Sequence, residues 1–434
     1  MSDRDDFNRA VSEARDFDPY THEFLEREFE IYSRLRDNVP IARSEVMSSP
    51  TLGDLPGGWV LTRYDDGCEV LTDAGDFSSQ VQDYPVRPWI PQAIDPPMHT
   101  SYRRILNPWF APKEMAKLEP HLYSYANHLA DEMLENDRFD FVGEYADPFP
   151  TVIFCELAGF PAEDYPQIMD WKNIIMHADD GHERARRTVI DKARALGLEI
   201  GPGDSLSPES KGAVRGSAAG EVYQYFQGLL DARRAEPRDD LVSKLLEARY
   251  DEERPLTQEE LEDTLFLLFM AGLDTVASAL GLMVRDLATD EIKRKELISI
   301  FDSGDSKKIG QAIEELVRVH SIVLLPRRVT RDLAFHGALF RGEDQVLVPT
   351  QAINRDPEEF PNPDALDFER FPNRHVGFGL GPHRCLGIHL ARRELRVALE
   401  VFLKRCPDFE LDPERAANGF AGMKGLATLP LVKR

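Results

Sequence analysis

One run near the C-terminus concentrates the residue types that do chemistry: Phe378-Gly-Leu-Gly-Pro-His-Arg-Cys-Leu-Gly387. Cys385 closes a loop and precedes a helical pattern over Leu386–Phe402, and a helix start favours a thiolate over a thiol. Gly379, Gly381 and Gly387 let backbone pass close to a flat, bulky object, and His383 and Arg384 add donors for an anionic group. A single thiolate without a neighbouring cysteine does not suit structural zinc, which takes four ligands. It does suit one axial position on a haem iron. A dinucleotide loop fails here, because Pro382 and Arg384 occupy the third-glycine position in the two registers of GxGxxG. A nucleophilic Cys385–His383 pair stays chemically open on spacing alone. Cys155 lies in the apolar pattern Thr151–Gly159 and reads as core, and nothing beside Cys68 or Cys406 would activate a thiol.

Three other pairs stand at informative spacings. His99 and Arg103, four residues apart, share one face of a helix, which taken alone reads as a solvated polar face. Asp274 and Thr275 interrupt the apolar run LFLLFMAGLDTVASALGL, where a carboxylate is costly unless paired, hydrated or working. Read locally, the Thr275 hydroxyl could simply bond a carbonyl one turn back. Glu315 and Arg318 have i,i+3 spacing, and as a surface ion pair they would contribute less than about 1 kcal/mol.

The elements that must position these residues are mostly helical. Amphipathic periodicity predicts helices over 21–37, 97–110, 113–136, 148–158, 164–177, 184–198 and 218–233. Thr257 and Glu260 form a capping-box pattern opening a long helix over 258–289. Further helices are predicted over Gln311–His320 and from about Cys385 to Cys406. A short strand is expected at Trp59–Thr62 with a short helix after it, and a small sheet from Ala334–Leu339 and Gln345–Val348. The Pro- and aromatic-rich segment 80–97 and the long Pro/Asn/Asp/Gly segment 354–383 read as irregular. Residues 201–220 (GPGDSLSPESKGAVRGSAAG) read as a mobile surface loop. The fold class is mainly α with small β-sheets, in a single domain over 1–434.

Composition narrows the function. The 434 residues carry 52 Lys+Arg and 77 Asp+Glu, a formal charge of −25, with 42% hydrophobic residues. That apolar share excludes global disorder, and the acidic field opposes nucleic acid and anionic lipid. The charged start MSDRDDFNRA lacks the apolar core of a signal peptide, and the longest apolar run, Leu265–Leu273, is far short of the roughly 20 residues a span needs. A soluble, cytoplasmic protein without membrane insertion is expected.

Together the motifs resemble the cytochrome P450 family. FGLGPHRCLG fills every position of its haem signature F-G-x-G-x-H-x-C-x-G. Ala271-Gly-Leu-Asp-Thr275 resembles the oxygen-binding groove of the long central helix, and Glu315-Leu-Val-Arg318 the E-x-x-R pair. Phe368-Glu-Arg-Phe371 resembles the arginine-bearing segment before the haem loop, and Asp95-Pro-Pro-Met-His99 with Arg103 the haem-propionate helix. The motifs span 95–387 in the family's order. The likeness is to soluble bacterial members such as the camphor hydroxylase, with the stretches HLARREL and LPLV.

The resemblance implies a P450-like fold around a buried haem b (iron protoporphyrin IX), with Cys385 as the metal ligand. It places Phe378 beside the sulfur and Gly387 along the cofactor, and gives the propionates to His99, Arg103, Arg327 and His383. Gly272 would leave space for dioxygen, the Thr275 hydroxyl would donate to its distal oxygen, and Asp274 would relay protons. Glu315, Arg318 and Arg370 would form a buried triad that holds the 354–383 segment. Substrate-pocket positions are Tyr84, Trp89, Ile90, Leu267, Met270, Ala271, Val323 and Leu324, with Met423 a further candidate. The implied activity is hydroxylation, with O2, of a hydrophobic small molecule such as a terpenoid or aromatic; the alternative is a haem-thiolate protein that binds or senses a ligand without turnover. Electrons would come from an acidic ferredoxin and its ferredoxin reductase. The ferredoxin would be steered by Arg374, His375, Arg384, Arg392, Arg393 and Arg396 around Cys385, with Arg104 and Lys113 nearby.

Overall fold

The computed structural model describes residues 3–47, 57–81, 87, 89–177, 183–420 and 424–434. Helices form most of the chain, and among the described residues the short strands form one five-stranded, one three-stranded and three two-stranded sheets. Side chains cap several helix starts, and the one at Thr257 forms as the sequence predicts. Thr21 accepts the Phe24 N–H (3.2 Å) and starts the helix His22–Asn38. Thr257 and Glu260 make the reciprocal capping box that opens Gln258–Leu273.

The predicted continuous helix over 258–289 is interrupted at Asp274, whose φ of −116° is stretched while its ψ of −30° stays right-handed helical, and resumes as Thr275–Thr289. Gly272 and Asp274 are weak helix formers, and the Thr275 hydroxyl donates to the Ala271 carbonyl across the break (3.2 Å). The combined stretch is long and apolar enough to cross a membrane, but most of it is buried inside the protein.

Residues 201–220 are not the surface loop the composition suggests. Ser207 caps a helix Pro208–Ala235, accepting from the Ser210 N–H (3.2 Å), with Pro208 in the first turn. Val214, Ala218, Ala219 and Val222 bury one stripe of it, and it packs on the helix Tyr165–His177. Of its small residues Ala218 and Ala219 are packed, whereas Gly212, Gly216 and Gly220 have open space at their Cβ positions, so the composition resembles a linker's. Only the segment around Gly201, whose N–H reaches the Ser205 carbonyl (2.8 Å), lies outside a helix.

A five-stranded sheet has the order Ile41–Ser44, Gly58–Leu61, Gln345–Pro349, Leu324–Val329, Phe77–Ser78. Gln345–Pro349 joins this sheet rather than pairing with residues 334–339. Leu333–Phe335 and Ala338–Phe340 instead form their own hairpin, closed by His336 and Gly337, both at positive φ (44° and 92°).

The segment 354–383 has almost no regular structure, and Glu315 holds it. Arg318 grips the Glu315 carboxylate with two bonds of 2.8 Å, both side chains being fully buried. Arg370 Nε lies 3.1 Å from each oxygen, Asn373 donates at 3.0 Å, and so does the Asp367 N–H at 3.0 Å. The remaining guanidinium donors of Arg318 take the carbonyls of Asn354 and Pro363, and those of Arg370 take Pro361 and Asn362. A buried ion group is favourable only when satisfied this fully.

Candidate functional site

Cys385 stands three residues ahead of the helix Ile388–Arg405, not inside its first turn. Its N–H donates to the Phe378 carbonyl (2.9 Å), folding the loop back beneath the sulfur. Burial pushes the thiol up, while the Gly387 N–H and the Arg103, Arg392 and Arg384 charges pull it down. Burial wins, so the thiol lies above its ordinary value, and the backbone N–H and the cations only partly offset it. Phe378 is half-buried beneath the Arg392 guanidinium, 5.2 Å from its ring centre. The loop's glycines divide their work. Gly381 has φ +70°, and a Cβ there would lie 2.4 Å from the Leu71 carbonyl, so it admits protein backbone. Gly387 faces open space, with nothing within 4 Å of its Cβ position.

Cation-capable side chains gather beside this loop. His99 and Arg103 come from the helix Met98–Leu106, Arg327 from the strand Leu324–Val329, and His383 from the turn Gly381–His383. The His99 and His383 ring centres are 4.1 Å apart. His99 Nδ1 and both nitrogens of His383 are buried without a hydrogen-bond partner. Burial, reinforced by neighbouring cations, pushes His99 down to about 4 and His383 to about 3. Arg327, 3% exposed, is pushed down to about 10 by burial, with Asp95 the charge that offsets it. Asp95 itself accepts from the Ser78 hydroxyl and the Ser79 N–H. Orphaned buried donors and under-compensated cations of this kind call for an anionic guest. The donor set fits the two propionates of a haem whose iron Cys385 would ligate.

On the other side lies the helix break. Asp274, 2% exposed, turns toward the Tyr165–His177 helix: its Oδ1 lies 2.7 Å from His177 Nε2 and 3.8 Å from Lys172 Nζ. Lys172 is fully buried and also pairs with Asp147, which heads the helix Pro148–Ala158. Burial alone would raise the Asp274 carboxyl, but His177 and Lys172 hold it below its ordinary value. The Thr275 hydroxyl occupies the Ala271 carbonyl, the local bond its spacing allowed. Gly272 does not open a groove on its Cα side, since a Cβ there would lie 2.7 Å from the Phe154 ring. Its smallness lets the central helix approach Pro148–Ala158, and Ala271 is the exposed residue.

Of the pocket positions, Trp89, Leu267, Val323 and Leu324 are half-buried, Ile90 is buried, and Met270 is core at 3% exposure. Trp89 lies 6.0 Å from Phe266 between ring centres. Tyr84 and Met423 lie outside the described residues. Arg87 secures the same loop to the central helix through Glu262 (2.6 Å) and Asp263 (2.8 Å), beneath it the Tyr223 ring. Neither this latch nor Lys172 and His177 were predicted as site residues. In KNIIMH two polar residues and a histidine flank an apolar run, as on an amphipathic helix, and only the fold shows that Lys172 and His177 are buried.

The basic cluster around Cys385 is largely spent internally. Arg374 pairs with Glu359, Arg392 and His375 with Glu314, and Arg393 and Arg396 with Glu119. Arg104 meets Asp251 at 3.4 Å. Arg384 and Lys113 are exposed and make no ion pair among the described residues.

Comparison with known proteins agrees with this geometry. A family model described as "Cytochrome P450" matches residues 216–430. The chain is 30% identical to the polyketide biosynthesis cytochrome P450 PksS of Bacillus subtilis, over 96% of this chain and 98% of that protein. It is 32% identical to the mycinamicin IV hydroxylase/epoxidase of Micromonospora griseorubida, over 92% and 94%. Among solved structures, CYP109E1 of Bacillus megaterium in complex with testosterone superposes with a TM-score of 0.78 (27% identity, 95% and 100% covered). The myxobacterial CYP267B1 in complex with myristic acid gives 0.79 (29% identity, 96% and 98% covered).

Proposed function

The chain belongs to the cytochrome P450 family of monooxygenases, and on that premise we propose that it hydroxylates a hydrophobic small molecule using a haem b held by Cys385. The observation that carries this reading is the convergence of His99, Arg103, Arg327 and His383, with orphaned nitrogens, beside a cysteine whose loop supplies an N–H to its sulfur. His99, Arg103, Arg327 and His383 would hold the two propionates, and Phe378 and Gly387 would border the cofactor. When bound, the haem supplies dioxygen binding and activation, to which a thiolate ligand contributes electron density. The chain's own residues do the rest. Asp274 holds or passes a proton at Oδ1, and the Thr275 hydroxyl leaves the Ala271 carbonyl to donate toward the oxygen site. Glu315, Arg318 and Arg370 keep the 354–383 wall in place without touching a reactant.

Trp89, Ile90, Leu267, Ala271, Val323 and Leu324 offer an apolar lining, which suits a lipophile held mainly by shape. That two structural neighbours were solved in complex with testosterone and myristic acid, and that one relative is named a mycinamicin IV hydroxylase/epoxidase, supports the same class. Electrons would reach the site from a separate ferredoxin and its reductase, docking on the Cys385 side. A second reading, ligand binding without turnover, is favoured by the present placement of Asp274 and Thr275, which are bonded away from one another.

The reduced protein's CO difference spectrum tests the first claim. The thiolate-haem Soret band should be present in the wild type, lost in Cys385→Ala and kept in Cys68→Ala. A wild type lacking that band sinks the proposal. NADPH consumption that rises with an added lipophile, first screened by its low-to-high-spin shift, separates turnover from binding.

A further inference from the structure

The mechanism above leaves unused a buried titratable group that is bonded to Asp274. His177 ends the helix Tyr165–His177, and its Nε2 lies 2.7 Å from Asp274 Oδ1. A carboxylate oxygen accepts, so the imidazole presents N–H to it. Lys172 and Asp147 face the pair, and the Ser278 hydroxyl lies 3.5 Å from Asp274 Oδ2. Lys172 is an unsuitable proton source: it has no exposed surface, stands 3.8 Å from Asp274 and is engaged with Asp147. His177 keeps 8% of its side chain exposed and Asp274 only 3%, so the imidazole is the outer member of the hydrogen-bonded pair. An imidazole also exchanges protons with water near neutral pH, which an ammonium or guanidinium does not.

We propose that His177 is the residue through which solvent protons enter the Asp274–Thr275 relay, acting on the reaction through Asp274. This rests on the oxygen-activating reading of the site. In the step, the Nε2 proton crosses to Asp274 Oδ1, so imidazolium becomes imidazole and carboxylate becomes carboxylic acid. Asp274 gives that proton up on the Thr275 side and returns to carboxylate, and the imidazole takes a replacement from water. One proton moves inward and no electrons are exchanged. Because His177 and Asp274 sit on different helices, proton delivery is tied to how closely the Tyr165–His177 helix is seated on the break. His177 is therefore a positioning and proton-supplying residue.

The test uses the holoenzyme with a plant-type ferredoxin, its NADPH-dependent reductase and no added organic substrate, so that NADPH oxidation reports reduction of dioxygen alone. His177→Gln keeps a hydrogen-bond donor but cannot pass a proton. It is expected to slow NADPH oxidation at least fivefold, enlarge the solvent deuterium isotope effect, and remove the pH-dependent limb expected of the wild type. Its CO difference spectrum should be unchanged. In urea unfolding of the holoenzyme followed at the Soret band, the midpoint shifts of His177→Gln and Asp274→Asn should be non-additive in the double variant. A slower rate with an unaltered isotope effect and pH profile overturns the relay, as do wild-type rates with an intact CO spectrum. If His177→Gln does not load haem, the wild type decides: NADPH oxidation independent of pH overturns the proposal. Absence of the thiolate-haem spectrum in the wild type is a different failure, that of the monooxygenase reading.

Discussion

Glu394 lies on the helix that follows Cys385 and is 3% exposed, and burial pushes its carboxyl from an ordinary 4.5 up to about 8. A group whose folded value is raised stabilises the fold most below its unfolded value, and that contribution disappears as pH climbs through the folded value. The window is therefore about pH 4.5 to 8, and the loss across it is on the order of a few kcal/mol. Glu394→Gln should melt several degrees above the wild type at pH 9 and within a degree or two of it at pH 5, by calorimetry. Arg327 makes a comparable argument with two signs. Its charge is buried and weakly compensated when no anion is bound, so Arg327→Leu should raise the urea midpoint of the haem-free protein. The same change removes a charge-assisted bond to a propionate, worth about 1.4 kcal/mol or more, so haem dissociation should speed up roughly tenfold. An apoprotein destabilised by Arg327→Leu would contradict the assignment of that guanidinium to the cofactor.

Elements were readable from the sequence where their signals are local. The Thr257 capping box and the helix over 148–158 depend on residues a turn apart, and each forms at its predicted place. The break at Asp274 was not readable, because apolar periodicity runs through it, and what turns the carboxylate aside is a histidine 97 positions away. The helix over 208–220 was hidden for the opposite reason: its alanines and glycines look like a linker until the neighbouring helix is present. The Glu315–Arg318 spacing was visible, but its burial and the three carbonyl contacts of Arg318 with the distant segment belong to the tertiary structure. The smallness of Gly272 shows how a motif residue can serve packing. Gly272→Val would drive side-chain carbon into the Phe154 ring and should cost about 1–3 kcal/mol. Phe154→Leu in the same chain should recover part of that loss in thermal melting; no recovery would mean that the glycine matters on its other side.

At the scale of the whole molecule, a charge of −25 surrounds a Cys385 face whose arginines are mostly matched by Glu119, Glu314 and Glu359. An acidic electron donor must then rely on the exposed Arg384 and Lys113, against a background that repels it. Arg384→Glu should slow ferredoxin-supported reduction several-fold at low salt, with the difference shrinking as ionic strength rises, while the CO spectrum stays intact. Arg393→Glu should lower the rate less and stability more, because it sets a second carboxylate against Glu119. The Glu315 hub has a consequence of another kind. By composition the stretch from 354 to 383 advertises itself to a protease as a linker, with Arg370 and Arg374 as cleavage points. Yet the Arg370 side chain is 8% exposed, and the carbonyls around it are occupied by guanidinium groups. A limited digest should pass over Arg370, so that any cut in this irregular stretch falls at Arg374, whose side chain is 67% exposed, and leaves the hub intact.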